Sequence, residues 1–151
     1  MEFDYRLVGT GWAEGWLAIG DEHVCLTASY LSDALGDLLA AVLLLLEDGA
    51  APVEVSWDEE PGEYRFVFVP EGDGTSAVTV LWFDELRSGR PNSDGRPILA
   101  ATCKVADLAA TVASGARAVL EEWGTTGYRR KWVDHDFPLP QLEQIEQTLS
   151  R

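Results

Sequence analysis

YLSDALGDLLAAVLLLLEDG, residues 30–49, is the longest apolar run in the chain and the stretch around which the fold must be built. Leu31, Leu35, Leu38, Val42 and Leu45 fall on one helical stripe, and Leu39, Leu43 and Leu46 widen it. Its apolar heart, LLAAVLLLL at 38–46, is far shorter than the roughly 20 residues a membrane span needs, and acids flank it at Asp33, Asp37, Glu47 and Asp48. The run therefore predicts a buried core helix. Ser29 and Ser32 are alternative N-caps, and Asp33 complements the positive end of the helix dipole. Gly49 and Pro52 stop the helix.

Outward from this helix, the chain alternates as strands do. Residues 3–8 form a short initial strand, 12–19 a second, and 23–28 its return after the turn at 20–22. On the C-terminal side, Val53, Val55 and Trp57 share one face of a strand while Glu54, Ser56 and Asp58 share the other. The turn at 59–62 leads to a strand at 63–69, with Tyr64, Phe66 and Phe68 on one side and Arg65, Val67 and Val69 on the other. A strand at 76–84 follows, then an irregular stretch at 85–96 rich in Gly, Pro, Asn and Asp, then a final strand at 97–102. A second helix is predicted over 105–123, ended by Gly124. YRRKWV at 128–133 reads as extended, and Pro138 opens a short terminal helix carrying Leu139, Leu142, Ile145 and Leu149. The expected fold is a single acidic α+β domain over 1–151. In it one antiparallel sheet of about five or six strands packs against the long central helix and a second C-terminal helix.

Charge is the global anomaly. The 151 residues carry 11 Lys and Arg against 26 Asp and Glu, a formal net charge of -15. The first hundred residues hold 19 acids against 5 bases, a net -14. Such a field repels nucleic acid and anionic membranes and steers basic partners. The opening MEFDYRLVG has no basic region ahead of an apolar one, so no signal peptide and a cytoplasmic location are expected. Cys25 and Cys103 match no zinc pattern and are read as small buried hydrophobes in a reducing compartment.

The motifs of familiar chemistry are missing. GTGWAEG at 9–15 lacks the lysine and context of a phosphate loop, and CxxC, HExxH and nucleophile elbows are absent. Asp134, His135 and Asp136 are adjacent, so an extended chain points them to opposite faces rather than at one metal. No catalytic residue, metal or cofactor is assigned. Six tryptophans are many for this length. Trp57 and Trp82 are assigned to the core. Trp12, Trp16 and Trp132, beside glycines or charges, are candidates for an exposed binding face. With Asp33 and Asp37, and with the turn acids Asp58, Glu59 and Glu60, they make up the candidate partner-binding set.

Three segments carry a resemblance: SYLSDALGDLLAAVLLLLEDG at 29–49, SWDEEPGEYRFVF at 56–68 and WVDHDFPLPQLEQI at 132–145. In this order they resemble small uncharacterised bacterial α+β proteins of the polymorphic-toxin immunity type. The resemblance implies stoichiometric neutralisation of a toxin enzyme. The leading expectation is thus a non-catalytic interaction protein that binds a basic protein partner through its acidic surface. Two alternatives stand beside it. One is an enzyme or small-molecule binder with Asp33, Asp37 or His135 in a cleft between the first helix and the sheet. The other is a homodimeric structural protein.

Overall fold

The computed structural model describes all residues, Met1–Arg151. Strands β1 (Glu2–Val8), β2 (Trp12–Ile19) and β3 (Glu22–Ser29) form a three-stranded antiparallel meander. Helix α1 (Ala34–Glu47) leads to a second, four-stranded antiparallel meander: β4 (Val53–Asp58), β5 (Glu63–Pro70), β6 (Thr75–Phe83) and β7 (Arg96–Lys104). Helices α2 (Val105–Lys131) and α3 (Leu139–Leu149) close the chain.

The expected single sheet of about five or six strands with two helices is thus corrected to two separate sheets and three helices. Alternation reports which face a residue takes, not which strand it pairs with. Here α1 intervenes between β3 and β4 and carries the chain to a new sheet. Helix α1 packs on β4, α2 and α3, while α2 runs along β1 and touches α1. One continuous core draws on both sheets and all three helices.

Helix α1 begins at Ala34 rather than at residue 30, and the reason is visible in its carbonyls. The oxygens of Tyr30, Leu31 and Ser32 face His135 (3.1 Å), Arg87 (3.0 Å) and Trp132 (3.2 Å) respectively. Those acceptors are committed elsewhere, so the first helical turn forms after them and Asp33 takes the N-cap position. Leu35, Leu38, Leu39, Val42 and Leu45 are buried as the stripe predicts, but Leu31 and Leu44 face solvent. Gly49, at φ +60°, ends the helix and donates its N–H to Leu44. Glu47, at the unfavourable end of the dipole, accepts a bond from Gln144 of α3 at 3.2 Å.

Gly124 does break the helical path, at φ 67° and ψ 176°, but the chain resumes helix at once. Residues 128–131 are therefore helical rather than extended. Tyr128, fully buried against Phe137, anchors this last piece.

The irregular stretch before β7 is held down by arginines. Arg65 is buried on the outer face of the second sheet, pairs with Glu63 at 3.0 Å, and donates to the Arg90 carbonyl and to Asn92. Its guanidinium lies 4.1 Å from the Phe83 ring centroid. Arg87 binds Asp58 at 2.8 Å.

Candidate functional site

Period-two alternation gives the first sheet two unlike faces. Tyr5, Leu7, Leu17 and Leu26 point into the core. Asp4, Arg6, Glu14, Trp16, Cys25 and Thr27 line a cleft of about 840 Å3 on the opposite face. Tyr64 of β5 and Glu122 of α2 complete its walls, with Gly115, Ala118 and Val119 of α2 as its smooth side. Gly115 is required there, since a Cβ would stand 2.8 Å from the Phe3 carbonyl oxygen.

The cleft combines an aromatic floor with a negative rim. Trp16 stacks on His23, centroids 5.0 Å apart, and donates its indole N–H to Glu2 at 2.9 Å. Arg6 is the one basic group in the lining, and Glu14 binds it at 2.8 Å. Both partners are solvent-exposed, so the pair adds little stability, but it neutralises the arginine. Asp4 and Glu122 have no ion-pair partner. Burial pushes the Tyr64 phenol above its ordinary pKa, with Thr27 opposing and Glu59 and Cys25 adding to the rise. The hydroxyl therefore stays protonated at neutral pH. A second hollow of about 420 Å3 shares Cys25 and Tyr64 with the first and continues past Trp82, Ile98 and Arg96.

The sequence candidates fall in different places. Trp16 lies in the cleft. Trp12 is exposed (42%) on the same sheet but does not line it. Trp132 is fully buried, which corrects its assignment to an exposed face: its ring packs on Tyr5 and its N–H is bound to Ser32. Asp58 is buried rather than an exposed turn acid, because it is the partner of Arg87. Glu59 is half-buried and accepts the Gly62 N–H at 3.2 Å, while Glu60 is exposed. Trp82 lines the second hollow instead of filling the core, and Cys25 is exposed rather than buried.

Asp33, Asp37 and His135 do come together, at the N-terminus of α1. Burial raises the Asp33 carboxyl above its ordinary pKa; His135 and the Gly36 N–H pull against this and Asp136 adds to it. Asp37 is raised in the same way, by burial and then by Asp33, with His135 opposing. Behind them, the hydroxyls of Tyr5 and Tyr128 and Oδ1 of Asp33 are buried without hydrogen-bond partners. Burial, then Tyr128 and Asp33, raises the Tyr5 phenol above its ordinary pKa, and burial, then Asp33, raises that of Tyr128. Of these residues only Tyr5 also lines the cleft; Asp33, Asp37, Tyr128 and His135 line neither hollow.

Asp4, Glu14, Tyr64, Trp82 and Arg96 were not among the candidates. Asp4 and Glu14 occupy the strand face opposite their buried neighbours, Tyr64 ends the row Tyr64, Phe66 and Phe68 of β5, and Trp82 and Arg96 continue from Tyr64 as register partners on β6 and β7. Recognising them as one site needs the pairing of strands across two sheets. Comparison with protein-family models, curated proteins and solved structures finds no match to the chain. No helix is long and apolar enough to cross a membrane.

Proposed function

We propose that this protein is a cytoplasmic, non-catalytic interaction protein that binds a basic protein partner in the cleft around Trp16. The observation that carries this reading is a large aromatic cleft whose one arginine is neutralised and whose free charges are carboxylates, in a chain of net charge -15. A lysine or arginine side chain suits it: the alkyl stem packs on Trp16 and Tyr64, and the charged head meets Asp4 and Glu122. The field of the acidic chain speeds encounter with such a partner. The most concrete version, which rests on the sequence resemblance, is neutralisation of a toxin enzyme by covering its basic active surface.

The test is capture of partners on immobilised wild-type protein and on Trp16→Ala, followed by calorimetric titration of the recovered protein at several salt concentrations. The reading expects saturable binding that weakens with salt and is lost in the variant. A partner held equally by both proteins refutes the cleft as the binding site. If that partner is an enzyme, stoichiometric loss of its activity on mixing tests the neutralising role.

A further inference from the structure

The strand registers set one row of side chains across each sheet. In the first sheet, Asp4 pairs with Trp16 and Trp16 with Cys25, one residue from each strand. In the second, Tyr64 pairs with Trp82 and Trp82 with Arg96. The two rows meet where Cys25 and Tyr64 line both hollows. Tyr64 and Trp82 are in ring contact, with centroids 5.0 Å apart. The result is one groove with an acidic end at Asp4, an aromatic middle and a basic end at Arg96.

Arg96 is the informative residue. Of the five arginines in the first hundred residues, Arg6, Arg65, Arg87 and Arg90 are all held in ion pairs. Arg96 has no such partner. The acids just beyond it, Asp84 and Asp94, are both engaged by Arg90, at 3.0 and 3.7 Å. In a chain with a large excess of acid, a free arginine at the end of a groove is a specific acceptor for negative charge.

Resting on the function proposed above, we infer that the groove recognises an extended polypeptide segment of the partner with ordered charge. A basic residue enters at Asp4 and Glu122. An apolar residue sits against Tyr64, Trp82 and Ile98. A carboxylate, from an acidic side chain or a chain terminus, meets Arg96. Each row crosses two inter-strand gaps of about 4.8 Å, so the two rows together span on the order of 20 Å, or roughly six or seven extended residues.

The probes are two synthetic heptapeptides, acetyl-Lys-Gly-Ser-Leu-Ser-Gly-Glu-amide and the same peptide ending in Gln, titrated into the isotopically labelled full chain and followed by NMR. Both should shift the indole signal of Trp16, and the Glu peptide should also shift Trp82 and bind about threefold more tightly, the size of an exposed charge pair. That preference should vanish in Arg96→Gln and reverse in Arg96→Glu against a peptide ending in Lys. Equal binding of the Glu and Gln peptides, with shifts confined to the Trp16 end, overturns the ordered groove and leaves the acidic cleft standing. A preference that persists in Arg96→Gln also overturns it. Absence of any shift at Trp16 refutes both the groove and the cleft.

Discussion

The indole Nε1 of Trp132 donates to the carbonyl oxygen of Ser32 at 3.2 Å, joining residues a hundred positions apart. It is one of three side-chain contacts that take the carbonyls of residues 30–32 and so set where α1 begins. Trp132→Phe keeps an aromatic ring but strands the Ser32 oxygen. The expected loss is about 1–3 kcal/mol in denaturant unfolding, with faster amide hydrogen exchange in the first turn of α1. Unchanged exchange there would show that the contact does not position the helix.

The two faces of α1 separate cleanly by substitution. Val42 is fully buried and Leu44 is 55% exposed. Val42→Asp puts an unpaired charge in the core and should abolish cooperative thermal unfolding. Leu44→Asp, two residues away, should stay within about 0.5 kcal/mol of wild type. Circular dichroism on both variants decides the matter.

Arg65 should be the most costly charge to remove. Arg65→Met leaves Glu63 buried without its cation and frees the stretch bound through Arg90 and Asn92. Breaking one side of a buried pair costs about 3–5 kcal/mol. The double variant Arg65→Met, Glu63→Leu should recover much of that loss, and a failure to recover would place the stabilisation in the loop contacts instead.

Asp33 gives a pH dependence opposite to ordinary acid denaturation. Burial raises its pKa in the folded state, so the native protein holds this proton more tightly than the unfolded chain. Its contribution favours folding below the ordinary carboxyl range and is lost as pH rises through the unfolded and then the folded value. Asp33→Asn keeps a residue type suited to the N-cap position and removes the charge. Its melting temperature should exceed that of wild type at pH 7, with the gap closing as pH falls into the carboxyl range. A lower melting temperature at pH 7 would mean that attraction to His135 and the Gly36 N–H outweighs burial.

Replacing Trp16 should separate binding from folding. Its side chain stacks on the exposed His23 and bonds to Glu2, on the face away from the core. Trp16→Ala should unfold within about 1 kcal/mol of wild type while losing at least tenfold in affinity for a partner that uses the cleft, as aromatic hot spots do.

Much of the fold was legible because hydrophobic period is a local property. All seven strand segments and the buried stripe of α1 follow from residues such as Val53, Val55, Trp57 and Leu38. The division into two sheets was not, because partner choice depends on contacts across the whole chain. Gly124 was correctly a break, yet nothing local says that helix resumes beyond it; Tyr128 decides that through Phe137. At the site, Trp16 was legible as an aromatic among glycines and acids. Trp132 offered the same local pattern and is buried, because Tyr5 and Ser32 reach it from the other end of the sequence. Asp58 and Glu63 look like a wet strand face until Arg87 and Arg65 arrive to cover them.

The alternation in the first sheet has an evolutionary consequence. Tyr5, Gly15 and Leu26 are register partners in one row facing the core, and Asp4, Trp16 and Cys25 are partners in the adjacent row facing the groove. Neighbouring codons thus serve separate selective demands. Under the proposed function, a substitution in the groove row would change what the cleft binds at little expense to the core row beside it.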